Sequence, residues 1–226
     1  MPEWKGFTDR REAGRWLAKV TRALNLDKPV VVALPRGGVP VGFEVARALN
    51  APLDVLLVRK ISAPGQEEYG IGAVIDGVSP QVVIDAAAAR MTGADQNYID
   101  DQVTLHLLEI ERRRALYCTH PPICLGGRNV IVVDDGISNG GTVRAALAAL
   151  TKLGPKRLVL AAPVGPAKLL AELSGRCDRV VYLLSPRPFR AVGLHYRNFA
   201  QVTDADVVHL LAKSRDIEGA GLQEAY

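Results

Sequence analysis

The stretch from Val130 to Thr142, Val-Ile-Val-Val-Asp-Asp-Gly-Ile-Ser-Asn-Gly-Gly-Thr, constrains the fold more than any other part of the chain. Its short aliphatic run, bounded by turn residues, reads as a strand buried on both faces, as in a parallel sheet covered by helices. Two adjacent carboxylates at the carboxyl end of such a strand repel each other and lose hydration, so stability alone rarely puts them there. The glycine-rich turn behind them leads into a helical pattern, and its backbone N–H groups together with the helix dipole can cradle an anion.

The rest of the chain repeats strand, turn and helix. Asp9-x-x-Glu12 is a capping-box pattern, and Ala13, Trp16, Leu17, Val20 and Leu24 follow it at helical spacing, which predicts an opening amphipathic helix. Val30 to Leu34 reads as a strand, Pro35-Arg36-Gly37-Gly38 as a turn, and Val39 to Leu49 as a helix with Pro40 in its first turn. Leu53 to Val58 predicts the next strand, ending in Arg59-Lys60, and Ser62 to Gly70 has the composition of an exposed loop. Ile71 to Ile75 and Val82 to Ile84 flank Asp76-Gly77 and Pro80 as a hairpin, and a long helix is expected from about Thr92 to Tyr117. Arg112 to Arg114 close that helix as its macrodipole favours, so the run reads as a helix end rather than a nucleic-acid site. Asn129 to Asp134, Arg157 to Ala162 and Arg179 to Leu184 read as further strands, separated by helices over Gly141 to Leu153 and Pro166 to Leu173. Ser185 to Phe199 is irregular and aromatic, and Thr203-x-x-Asp206 caps a last helix through Leu211. The expected fold class is α/β, with a Rossmann-like central parallel sheet flanked by helices.

Composition bounds the function. The 226 residues are 48% hydrophobic and 23% charged, enough apolar material for one sizeable core. No apolar run approaches the roughly 18 residues of a membrane span, and the amino terminus has no apolar signal core, so a cytoplasmic protein is expected. Cys118, Cys124 and Cys177 form no Cys-x-x-Cys pair and are expected to be packing residues. The net charge of +4 suits an anionic ligand without requiring nucleic acid. Neither Gly-x-x-x-x-Gly-Lys-Ser/Thr nor Gly-x-Gly-x-x-Gly is present, which argues against a P-loop triphosphatase and a dinucleotide enzyme. Acids beside a phosphate cradle need hydrogen-bond donors to face, and sugar hydroxyls meet that need, so a ribose 5-phosphate fits both halves of the turn. The structural alternative is an acid pair that caps nearby backbone amides.

Val130 to Thr142 closely resembles the phosphoribosyl pyrophosphate motif of type I phosphoribosyltransferases. Pro35-Arg36-Gly37-Gly38 resembles the family's pyrophosphate loop, and Arg59-Lys60 resembles the basic pair ending the following strand. The runs Leu-Pro-Arg-Gly-Gly-Val-Pro-Val, Val-Arg-Lys-Ile-Ser-Ala-Pro-Gly and Phe-Arg-Ala-Val-Gly resemble bacterial members whose acceptor is unassigned. The resemblance implies one domain over residues 1–226, with a core of about 28–185. A small hood would form from the 62–85 hairpin and loop, the first helix and the tail of about 186–215. It implies transfer of 5-phosphoribosyl from phosphoribosyl pyrophosphate to a nitrogenous base, with magnesium held mainly through the donor and water and no dedicated protein metal ligands. Asp134 and Asp135 would hold the ribose, and Gly136, Ile137, Ser138, Asn139, Gly140, Gly141 and Thr142 the 5-phosphate. Pro35, Arg36, Gly37 and Gly38 would hold the diphosphate with Arg59 and Lys60, and the family often has a non-proline cis peptide here, at Pro35–Arg36 or Arg36–Gly37. Ser62 to Gly70 would be the flexible catalytic loop, with Glu67 and Tyr69 reaching the ligand.

In the hood, Phe189 would stack on the base and Val192 pair with its edge, while three aromatics near the end of a small domain also suit a core plug. His195 reads as structural or surface rather than catalytic. Two positions depart from the family pattern: Asn139 stands where threonine is usual, and Ser138 where the hypoxanthine–guanine branch carries an acid. Family members are often dimers, and the first helix or the Arg112 region is where the sequence offers an interface. The rival reading is a non-catalytic sensor of the same donor that binds nucleic acid or a partner protein, and a hydrolase of phosphoribosyl compounds is a weaker third.

Overall fold

The computed structural model describes residues 6–76, 80–117 and 123–223. Among these, the order is α1 (Arg10–Arg22), β1 (Val30–Ala33), α2 (Gly38–Leu49), β2 (Leu53–Val55), β3 (Val58–Ala63), β4 (Gln66–Ile75) and β5 (Gln81–Ile84). It continues with α3 (Ala86–Thr92), α4 (Gln96–Tyr117), β6 (Asn129–Val133), α5 (Gly141–Lys152), β7 (Arg157–Val164), α6 (Ala167–Leu173), β8 (Arg179–Leu184) and α7 (Asp204–Gln223). A five-stranded parallel sheet runs β2-β1-β6-β7-β8, and a separate antiparallel sheet runs β3-β4-β5. This is the α/β class expected, with its Rossmann-like sheet. Among the described residues no helix is long and apolar enough to cross a membrane.

Side-chain alternation explains the two layers around the parallel sheet. Val31, Ala33, Ile131, Val133, Val159 and Ala161 face the layer of α1, α2 and α7. Val30, Val32, Val130, Val132, Leu158 and Leu160 face α5 and α6. Burial on both faces is why β1 and β6 read as unbroken aliphatic runs.

Several boundaries differ from the sequence reading. The strand expected over Leu53 to Val58 is two strands in different sheets, because the chain bends after Leu56 donates its N–H to the Ala33 carbonyl. Leu57 at the bend is buried, so no polar residue marks it. The loop expected over Ser62 to Gly70 is a tight hairpin: β3 and β4 are joined by Pro64 and Gly65, the latter at φ +67°. The long helix begins later, since Asp85 caps α3 and Gly93, at φ +72°, ends it before α4 starts. The last helix continues past Leu211 to Gln223, and the Thr203–Asp206 capping box forms as expected, each residue's side chain accepting from the other's backbone N–H.

The buried face of α1 is also rotated. Ala13, Gly14, Leu17, Ala18 and Thr21 are buried, whereas Trp16 is 52% exposed and Val20 is also exposed. Small residues win because α1 lies close to α2: a Cβ on Gly14 would stand 2.8 Å from the Val41 carbonyl oxygen. Cys124 is exposed rather than packed and Cys177 is partly buried against the α5–α6 layer, while Cys118 lies outside the described residues, as does the Gly77 turn of the second hairpin.

Candidate functional site

β1 and β6 are neighbours, and the sheet grows outward from them in opposite directions, through β2 on one side and β7 and β8 on the other. The crevice at the carboxyl ends of such a strand pair is where open α/β sheets bind ligands. Two turns meet there. Leu34 donates its N–H to the Val133 carbonyl at 2.8 Å, which carries the β1 turn up against the end of β6. A Cβ on Gly38 would come within 2.6 Å of Val133 O, and one on Gly37 within 2.0 Å of Asp135 Oδ2, so only glycine permits this approach. The Pro35–Arg36 peptide is cis, one of the two positions expected.

Asp134 Oδ1 accepts the Asp135 N–H at 2.8 Å. Asp135 Oδ2 accepts from Arg10 Nε at 2.7 Å, and its backbone carbonyl accepts the Tyr196 hydroxyl at 2.6 Å. Burial, and next the neighbouring Asp135 charge, push the Asp134 carboxyl well above the ordinary range. Burial raises Asp135 too, with the Arg10 guanidinium opposing it. Both carboxyls are therefore harder to ionise than solvated ones, and donor hydroxyls or a cation brought beside them would relieve that cost.

Past the acids, Gly136 is packed by Val192, whose Cγ1 would lie 2.4 Å from a Cβ there. Ile137 is buried and donates its N–H to Val164 O at 2.8 Å, which anchors the turn from below. Ser138 and Asn139 are exposed above it, Gly140 has φ +75°, and Gly141 and Thr142 open α5. Asn139 Oδ1 accepts the Gly141 N–H at 3.2 Å. The amide thus fills, with its own oxygen, one of the donors that the turn presents to an anion.

Arg59 and Lys60 lie on opposite faces of β3, as strand alternation demands. Lys60 points toward α5, where its Cδ would lie 3.6 Å from a Cβ on Gly141, and its ammonium donates to the Glu67 carbonyl at 2.6 Å. Arg59 turns to α4, with Nη2 3.8 Å from Glu109 Oε1. Arg36 turns the same way, 3.7 Å from Asp204 Oδ1. Glu67 contributes its carbonyl to Lys60 and Ser62, and Tyr69 is exposed on the hairpin. Phe189 stacks on His195 with ring centroids 5.9 Å apart, beside the cluster of Phe7, Ala13, Val164 and Tyr196. Tail and acidic turn are therefore in contact, through Val192 and Tyr196.

Arg10 and Tyr196 were not singled out by the sequence. Arg10 lies inside the capping box of the first helix, and its guanidinium stacks 3.8 Å from the Phe199 ring centre while reaching Asp135. The aromatic tail was the only signal for Tyr196.

The model of the phosphoribosyl transferase domain family matches residues 4–184. The chain belongs to the phosphoribosyl transferase family. It is 43% identical over 224 residues to provisionally named phosphoribosyl transferases from two strains of Mycobacterium tuberculosis, CDC 1551 / Oshkosh and H37Rv, covering 98% of this chain and 50% of each of theirs. It thus spans about half the length of these curated relatives. A further relative, the bifunctional protein PyrR of Elusimicrobium minutum, is 29% identical over 131 residues, 56% of this chain and 70% of that protein. Among solved structures, a protein of Thermus thermophilus superposes with a TM-score of 0.78 at 41% identity, covering 92% of this chain and 98% of that one.

Proposed function

We propose that this phosphoribosyl transferase moves the 5-phosphoribosyl group from phosphoribosyl pyrophosphate to a nitrogenous base and releases pyrophosphate. The observation that carries the reading is the contact between the two anion turns: Gly37 abuts Asp135 at the β1–β6 crevice, so one ligand spans both. Asp134 and Asp135 accept from the 2- and 3-hydroxyls of the ribose. The backbone N–H groups from Ser138 to Thr142 hold the 5-phosphate above the Ile137 anchor, with the Asn139 oxygen giving up Gly141 as the phosphate arrives. Lys60 lies beside that turn, and the backbone of Pro35 to Gly38 with Arg36 and Arg59 faces the diphosphate. The base enters between the acidic turn and the tail, where Val192 packs on Gly136 and Phe189 offers a ring.

The bond from the sugar carbon to the diphosphate oxygen breaks with its electron pair going to that oxygen, the base nitrogen's lone pair forms the new bond, and the nitrogen's proton passes to solvent. Positioning and neutralisation of the leaving charge supply most of the rate, since no side chain here is placed as a nucleophile. Magnesium suits this site: the crowded acid pair favours a nearby cation, and the ion would ride on the donor's own oxygens, neutralising diphosphate charge. Arg10 and Tyr196 hold the Asp135 carboxylate and carbonyl in place.

The test is phosphorus NMR of phosphoribosyl pyrophosphate with magnesium and the protein, alone and then with pooled purine and pyrimidine bases. Pyrophosphate released only with the pool establishes transfer, and splitting the pool names the acceptor. Broadened donor lines without turnover in any pool would instead favour a sensor. Asp135→Asn should abolish donor binding or turnover with the fold intact, and an unchanged donor affinity would remove the acids from the site.

A further inference from the structure

The run Arg112 to Arg114 does more than end a helix. α4 crosses β3 and the start of α7, and this puts Arg112 and Arg113 into one connected set with Arg36 and Arg59. Glu109 Oε1 lies 2.6 Å from Arg113 Nε and 3.8 Å from Arg59 Nη2, and its Oε2 lies 2.9 Å from Arg112 Nε. Asp204 Oδ2 lies 3.2 Å from Arg112 Nη2, and its Oδ1 lies 3.7 Å from Arg36 Nη1 and accepts the Tyr117 hydroxyl. Four guanidiniums therefore share two carboxylates, an excess of two positive charges.

The excess is not fully solvated. Arg59 Nε is buried with no hydrogen-bond partner, and so is His106 Nε2 on the adjoining turn of α4. Burial, and next the Arg113 charge, hold Arg59 below the usual guanidinium range, the mark of a cation short of counter-charge. A network that only fastened helices together would gain by matching its charges, and would leave no buried donor unmet.

We propose that Arg36, Arg59, Arg112 and Arg113 form one anion site for the terminal phosphate of a diphosphate, in which Glu109 and Asp204 are internal occupants that the phosphate displaces. The assignment of that diphosphate to the leaving group rests on the transfer reading above. It adds α4 to a site whose recognisable motifs lie elsewhere in the chain. It also accounts for the hairpin found where a catalytic loop was expected: positive charge comes to the leaving group from a fixed helix instead of a closing loop. α4 is fastened to the antiparallel sheet, which holds it in place for that role. The Tyr98 hydroxyl donates to Ser62 O at 2.9 Å, and Arg114 pairs with Asp76. As the sugar–oxygen bond breaks, the new charge falls on the oxygens that this cluster surrounds.

The test is calorimetric titration of the full chain with inorganic pyrophosphate, with and without magnesium. Arg113→Ala and Arg112→Gln should each weaken affinity about ten-fold or more, as loss of a charge-assisted phosphate contact does. Glu109→Gln should tighten it several-fold by removing the internal competitor, a gain that a purely structural network does not produce. Circular dichroism checks the fold, and Arg112, half exposed, carries the decision if Arg113→Ala unfolds. No pyrophosphate binding by the wild type, or equal affinity in wild type, Arg112→Gln and Glu109→Gln, overturns the anion site. Pyrophosphate binding without donor binding or turnover would leave the site standing and overturn the transfer reading; turnover with unchanged pyrophosphate affinities would do the reverse.

Discussion

Asp134 and Asp135 were legible because everything that makes them unusual is contiguous: an aliphatic strand before them and a glycine turn after. Arg10 and Tyr196 were not, because their partner is 125 and 61 residues away and no local pattern encodes such a contact. The acid pair makes a pH prediction with a definite sign. Asp134's folded-state pKa lies above its ordinary 3.8, so its contribution to stability is fully present below that value and is lost as pH rises through the raised one. Asp134→Asn should therefore gain stability relative to wild type as pH climbs from 4 to 8, read as the difference in urea midpoints. Paired carboxylates such as Glu109, held at about 2, act with the opposite slope, losing their contribution as pH falls from the usual 4.5, but they cancel in that difference. A gap that does not change with pH would mean that Asp134 ionises as freely as a surface acid. Gly37 supplies a second prediction. Alanine there drives a methyl into Asp135 Oδ2, at 2.0 Å, so donor affinity measured by calorimetry should fall about ten-fold or more, the cost of roughly 1.4 kcal/mol that displacing one charged contact incurs.

At the scale of elements, β1 and β6 were found to within a residue, because burial on both faces writes itself as an uninterrupted apolar run. The β3–β4 hairpin was missed for the opposite reason. Its tip, Gly65 to Glu67, stands in solvent, so no alternation records it, and Pro64-Gly65 reads equally well as part of a loop. α3 was not read, although Asp85 and Gly93 mark its cap and its stop; the helix expected from about Thr92 took in only its last residue. The hairpin can be tested through its turn. Gly65 sits at φ +67° with nothing near its missing Cβ, so alanine costs only the left-handed backbone, about 1–2 kcal/mol. Hydrogen exchange should show faster opening of β3 and β4 amides in Gly65→Ala with the parallel sheet unchanged. Loosening in both sheets would mean that the antiparallel sheet does not open separately.

At the scale of the whole molecule, the crevice between β1 and β6 is assembled from distant parts of the chain. The first helix sends Arg10 to Asp135, the tail sends Tyr196 and Val192, and the antiparallel sheet sends Lys60 to the glycine turn. A ligand seated there ties these parts together and binds only the folded state, so its affinity must appear as stability. At donor and magnesium concentrations about a hundred times the dissociation constant, the gain is ~2.7 kcal/mol, which in a chain of this size raises the melting temperature by roughly 5–10 °C. The free melting temperature of Asp135→Asn should stay near wild type, because the amide keeps the side chain's shape, its oxygen still accepts from Arg10, and the desolvation cost of the largely buried charge is removed. The donor-induced rise should vanish in that variant. Equal rises in the two proteins would place the donor somewhere other than the β1–β6 crevice, whatever the family's motifs imply. A large fall in the variant's free melting temperature would mean instead that Asp135 and Arg10 chiefly hold the first helix to the sheet.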